Sequence, residues 1–199
     1  MTRKTFYLIA LLLLLLGTSH GASAQAVEDA RQEWHPPTQV TGTYMFTLDD
    51  YSFQSESGSI QRIRLNGAGL EYASRKLYPW EAVVSAQYST GHPLGQHLLT
   101  IEAGPGYCRG YRGVVPFVRA LAGIARTSSS DSMYLYKGPK SDLAIGVSGG
   151  IDWQVNPRLG VRLFQVQNQY LPFGSEGSVY WSVGAGVTYY LRPFTHRKG

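Results

Sequence analysis

The sequence predicts an all-β fold, an eight-stranded antiparallel up-and-down transmembrane β-barrel. Three observations predict it. Apolar residues recur at every second position through eight separate stretches, the period of a strand with one oily face. The connections between these stretches alternate long and short, as in a meander of hairpins. The face opposite the oily row carries mostly Gly, Ser, Thr and Ala with isolated charges, and small residues suit the narrow interior of an eight-stranded barrel.

The first residues set the compartment. Arg3 and Lys4 precede an apolar run over residues 6–16, followed by the small residues Ala22, Ser23 and Ala24. This is the pattern of a secretory signal peptide over residues 1–24; the run is shorter than the ~20 apolar residues that a spanning helix requires. Residues 25–39 lack alternation and form a polar lead-in, and the barrel is expected over residues 40–194 with a short tail at 195–199.

The first row is Val40, Gly42, Tyr44, Phe46 and Leu48, with Thr41, Thr43, Met45 and Thr47 on the other face. Residues 49–61 are rich in Asp, Ser and Gly and read as a loop. Ala68, Leu70 and Tyr72 oppose Gly67, Gly69 and Glu71, and residues 73–79, with Arg75 and Lys76, read as a short basic turn. The third row runs Trp80, Ala82, Val84, Ala86, Tyr88, the fourth Leu99, Ile101, Ala103, Pro105, Tyr107, and the loop at 89–96 separates them. The turn at 109–113 leads to Pro116, Val118, Ala120, Ala122 and Ile124. The longest loop, 127–140, precedes Leu143, Ile145, Val147, Gly149, Ile151 and Trp153. Asn156, Pro157 and Arg158 make a tight turn. Leu159, Val161 and Leu163 then alternate, and the pattern breaks through residues 165–170, where a bulge is expected. The last row, Val179, Trp181, Val183, Ala185, Val187, Tyr189 and Leu191, is unbroken.

Alternation alone does not say which face looks outward. In a soluble lipocalin-like barrel the oily row would line a cavity, and the outer face would be rich in Lys, Glu, Asn and Gln; here it is not. The oily rows also carry aromatics near their ends: Tyr72, Trp80, Tyr107, Trp153 and Tyr189 toward the short turns, Phe46, Tyr88 and Trp181 toward the long loops. Amphipathic rings favour the two membrane–water interfaces, so these residues are read as two girdles around a lipid-facing band.

Taken together, these residues resemble the small outer-membrane β-barrels of the OmpA-like and opacity-protein type. The resemblance covers the chain from about Val40. Its more specific part is the last strand, where Gly186, Tyr189 and Leu191 are similar to the signal read by the outer-membrane insertion machinery. It departs in carrying Gly184 where a polar residue is usual, and in a tail over residues 192–199 that includes Phe194. The resemblance implies a bacterial outer-membrane location, contact with outer-membrane lipid and lipopolysaccharide, and a luminal salt-bridge cluster that plugs the pore.

The charges expected in the lumen are Glu71, Glu81, Glu102, Arg119, Asp142, Asp152 and Arg162. A buried unpaired charge is expensive, so they must pair. The expected network is Arg119 and Arg162 with Glu81, Glu102 and Asp152, and neighbouring strands couple Glu102 to Arg119 and Asp152 to Arg162. His92 and His97 lie near Ser89 at an outer loop, but no His-x-Ser pair or companion acid accompanies them. No spacing resembles a zinc, calcium or nucleotide site, and the single Cys108 has no internal partner, so no cofactor is expected. The net charge of +5 is scattered, which excludes a nucleic-acid surface. Tyr51, Phe53, Met133, Tyr134 and Tyr136 sit in outer loops as candidate contacts for a surface ligand. The expected role is non-catalytic, structural in the envelope or adhesion-like through the loops. A small porin or gated channel is the alternative, with a lipid A-modifying enzyme less favoured.

Overall fold

In the computed structural model, residues 36–54, 60–92, 95–111, 113–129, 140–172 and 178–191 are described. The expected signal peptide, Phe194, and Met133, Tyr134 and Tyr136 of the longest loop lie outside the described residues. The alternating stretches form eight strands: β1 Gln39–Gln54, β2 Ile60–Leu77, β3 Trp80–His92, β4 Gln96–Cys108, β5 Val114–Ser129, β6 Lys140–Gln154, β7 Leu159–Leu171 and β8 Ser178–Tyr190. Each pairs antiparallel with the next, and β1 pairs with β8 to close the barrel. Closure leaves no strand edge unpaired, the condition for a sheet to sit in hydrocarbon.

The two faces sort as the sequence predicts. Along β8, Trp181, Val183, Ala185, Val187 and Tyr189 are exposed, while Tyr180, Ser182, Thr188 and Tyr190 are buried. Leu70 and Ile124 are each 62% exposed and Val187 60%; a continuous apolar belt of this kind is a surface made for lipid rather than water. A 13-residue strand such as β8, rising about 3.3 Å per residue at a tilt of about 40°, climbs roughly 33 Å, enough for a hydrocarbon core of about 30 Å. Tyr72, Trp80, Tyr107, Trp153 and Tyr189 point outward near the short turns, and Tyr88 and Trp181 near the long loops. Trp80 and Tyr107 pack edge to face across β3 and β4, ring centres 5.5 Å apart.

The short turns are tight for local reasons. Asn156 Oδ1 accepts from the backbone N–H of Arg158 and Leu159 at 2.9 and 2.8 Å, an Asx arrangement that reverses the chain between β6 and β7. Gly113 takes φ +85° in the turn before β5, a conformation cheap only for glycine.

Several boundaries differ from the sequence reading. The loop expected at 49–61 is largely strand, because β1 continues to Gln54 and β2 begins at Ile60. The turn expected at 73–79 shrinks to Tyr78 and Pro79, since β2 continues through Arg75 to Leu77. The irregularity in β7 falls slightly earlier than expected: Leu163 and Phe164 are both exposed, and the register shifts between Arg162 and Gln165. Alternation then resumes with opposite parity, placing Gln165, Gln167 and Gln169 in the lumen. One inserted residue flips every side chain that follows.

Candidate functional site

Among the described residues, more polar and charged side chains than hydrophobic ones are buried, and their arrangement follows from strand parity. Glu71, Ala73 and Arg75 are successive inward positions of β2; Glu81 of β3, Phe117 and Arg119 of β5, Asp152 of β6 and Arg162 of β7 face them. Six charged side chains join into a closed ring of alternating sign. Arg75 Nε donates to Glu81 Oε2 at 2.8 Å, and Arg119 Nε to Glu81 Oε1 at 2.6 Å. Arg119 Nη1 donates to Glu71 Oε2 at 2.6 Å. Arg162 grips Glu71 with both terminal nitrogens, at 2.8 and 3.0 Å, and Asp152 Oδ1 through Nε at 2.8 Å. Arg75 Nη2 lies 3.7 Å from Asp152 Oδ2 and completes the circuit.

Neutral partners occupy much of what remains. Gln39 Nε2 donates to Asp152 Oδ2 at 2.9 Å while its Oε1 accepts from Arg75 at 2.8 Å. Gln165 Oε1 accepts from Arg162 at 2.7 Å. The Phe117 ring lies between two guanidinium groups, with Arg119 Cζ 3.9 Å and Arg162 Cζ 4.6 Å from its centre, where the ring's negative face stabilises cations. Gly106 gives the ring room: a Cβ there would sit 2.8 Å from both Arg119 Cγ and Glu81 Oε1. The six charged side chains are between 0 and 5% exposed. Within the ring, positive and negative charges are matched one to one.

The sequence places Glu81, Arg119, Asp152 and Arg162 together, and the structure brings all four into this ring. The expected Glu102–Arg119 couple is not formed. The register of β4 and β5 sets Glu102 opposite Gly123 and Arg119 opposite Gly106, so Arg119 turns to Glu81 and Glu71. Glu102 Oε2 instead accepts from Gln167 Nε2 at 3.0 Å and Gln169 Nε2 at 2.7 Å. Sequence reasoning missed Arg75, read as part of a basic turn, and Gln39, assigned to the lead-in. Counting by twos from Glu71 reaches Arg75, so parity carried that signal. Asp142 lies outside the ring, at the loop end of β6, where its carboxylate accepts from the N–H of Leu143 at 2.7 Å.

Hydroxyl pairs stitch the closing seam: Thr41 with Thr188 at 3.0 Å and Thr47 with Ser182 at 2.8 Å. On the outward face Tyr88 Oη lies 2.8 Å from His97 Nδ1, with the two rings stacked. Ser89 is buried in the lumen, on the opposite face of the sheet from His97, so the two do not form a nucleophile–base pair. Among the described residues, no group of three or more His, Cys, Asp or Glu is arranged to hold a metal ion.

The closed eight-stranded meander, the lipid-facing belt and the polar lumen decide the kind of molecule. The fold is that of the small outer-membrane β-barrels. Neisserial surface protein A matches with a TM-score of 0.58 at 14% identity, over 76% of this chain and 96% of that one. OprG of Pseudomonas aeruginosa matches with a TM-score of 0.50 at 13% identity, over 79% and 97% of the two chains. The outer-membrane enzyme PagL matches with a TM-score of 0.50 at 12% identity, over 77% and 99%. No protein-family model and no curated protein sequence matches the chain. The likeness is one of architecture, carried by alternation and closure rather than by shared residues.

The last strand also carries the residues expected to form the insertion signal. Tyr189 and Leu191 point outward at the short-turn end of β8, and the N–H of Leu191 donates to Thr38 O at 2.9 Å across the seam. Replacing both with serine is expected to reduce the folded, heat-modifiable form in cell membranes several-fold. Refolding of the purified chain in detergent is expected to continue. Equal membrane yields of variant and parent would remove Tyr189 and Leu191 from the insertion signal.

Proposed function

We propose that this protein is a non-catalytic barrel of the bacterial outer membrane whose lumen is closed by the Arg75–Glu81–Arg119–Glu71–Arg162–Asp152 ring. It supports the envelope or presents its outer loops to a surface ligand, with lipid and lipopolysaccharide around it and the outer-membrane insertion machinery as its assembly partner. The ring is the observation that carries the reading. Its six side chains come from five of the eight strands, are buried, and balance in charge, so the ring itself carries no net charge to draw an ion through.

Planar-bilayer recording of the refolded barrel tests this. The parent is expected to stay silent. Arg119→Ala removes the bridge between Glu81 and Glu71, and is expected to give discrete conductance steps. A parent that conducts freely would favour the small porin, and an Arg119→Ala barrel as silent as the parent would deny the ring its sealing role.

A lipid A-modifying enzyme is the alternative reading, with the outward Tyr88–His97 pair as its candidate site. Lipid A mass spectra from cells with and without the protein distinguish the two readings. Identical spectra are expected.

A further inference from the structure

We propose that the lumen binds one singly charged metal cation, of the sodium or potassium class, at Glu102. The argument starts from charge. The ring pairs three arginines with three carboxylates, so Glu102 is left as a further buried carboxylate. It is 2% exposed, and among the described residues no Lys, Arg or His forms an ion pair with it. An isolated buried carboxylate is among the most expensive groups a protein can hold.

The chain nonetheless builds a place for it. To reach β7 the side chain crosses Gly123 of β5 and Gly146 of β6; a Cβ at 123 would lie 2.7 Å from Glu102 Cα. Two amide N–H groups, from Gln167 and Gln169, hold Oε2. Oε1 has no hydrogen-bond partner. Gln169 Oε1 and Ser148 Oγ, on the two strands that Glu102 reaches, are among the other buried atoms in that condition, in residues 0% and 1% exposed. They cluster by register, since Gly146 faces Gln169 and Ser148 faces Gln167 across β6 and β7. The point where a Cβ at 146 would stand is 3.4 Å from Glu102 Oε1 and 3.2 Å from Gln169 Cγ. The same point is 2.9 Å from Asn168 O, so a backbone oxygen converges there with Glu102 Oε1 and only glycine fits without a shift.

One carboxylate with neutral amide and hydroxyl oxygens is a donor set for a hard cation of low charge. Zinc calls for nitrogen and sulfur ligands, and calcium for several carboxylates. A single positive charge would bring this part of the lumen to neutrality. On the long-loop side lies a buried apolar group of Leu65, Leu98, Ala125, Ala144, Leu171 and Tyr180. The charged ring lies on the short-turn side. The free oxygens therefore sit where protein rather than water must supply an ion's ligands.

The test follows heat-modifiable migration of the refolded full barrel in sodium, potassium or choline chloride at equal ionic strength. The parent is expected to unfold several degrees higher in sodium or potassium than in choline. Glu102→Gln, which keeps the shape and removes the charge, is expected to unfold at one temperature in all three salts. Ser148→Ala, which leaves the carboxylate and both amide donors in place, keeps the test decisive should Glu102→Gln fail to refold. It is expected to raise several-fold the cation concentration needed for half the shift. Identical unfolding of the parent in all three salts would overturn the proposal. So would a cation shift that survives in Glu102→Gln, or an infrared band of a protonated carboxyl that this substitution removes.

Discussion

Replacing Arg162 with alanine is expected to destabilise the barrel by about 3–5 kcal/mol, the cost of removing one member of a buried ion network and leaving its partners charged. Among the described residues, no other luminal side chain makes as many hydrogen bonds. Its guanidinium satisfies both oxygens of Glu71, both of Asp152 and the amide oxygen of Gln165, and lies over Phe117. The loss is therefore larger than that of a single hydrogen bond, worth roughly 1 kcal/mol net. Arg162→Lys is expected to recover only part, because an ammonium cannot span Glu71 and Asp152 with a planar fork. A companion substitution separates charge from packing: Arg162→Ala with Glu71→Gln removes a surplus carboxylate and should cost less than Arg162→Ala alone. Urea unfolding of the refolded barrels, followed by tryptophan fluorescence, reads all three. A loss below about 1 kcal/mol, the scale of an exposed pair, would mean that water reaches the ring.

This network shows how far sequence reading reaches. Asp152 and Arg162 were legible as a couple because a short Asx turn joins their strands and fixes the register. Glu102 and Arg119 also sit on neighbouring strands, but the alignment of β4 with β5 is not written in the turn between them, and four residues of offset separate the charges. The contacts that close the ring cross the lumen: Glu71 and Arg162 are 91 positions apart, and the curvature that joins them belongs to the closed sheet. Arg75 was hidden differently, since Ser74, Arg75 and Lys76 have the composition of a turn, and the inward parity that leads from Glu71 to Arg75 was not followed. The ends of β1 and β2 were hidden for a related reason. A strand that continues beyond the lipid has no oily face to maintain, so residues 49–54 and 60–66 show no clear alternation, although most of them are paired. What the sequence carries clearly is the lipid-facing row, because burial in hydrocarbon tolerates few exceptions.

That row supports the second large effect. Val147 lies midway along β6, 57% exposed and flanked by Ala120 on β5 and Asn168 on β7. If the belt faces lipid, Val147→Arg must place a guanidinium near the bilayer midplane, at a cost of about 2–4 kcal/mol. If the barrel were a water-soluble carrier, the same position would face solvent, and the change would fall within about 0.5 kcal/mol of neutral. The two readings differ by more than the error of an unfolding measurement. Arginine at position 155, also outward but in the turn after β6, serves as the depth control and is expected to be nearly neutral, because cost on the lipid face falls toward the interfaces. Urea unfolding in lipid vesicles is the measurement. A Val147→Arg barrel as stable as its parent, with Val155→Arg equally neutral, would return the oily face to water and undo the assignment of the lumen that rests on it.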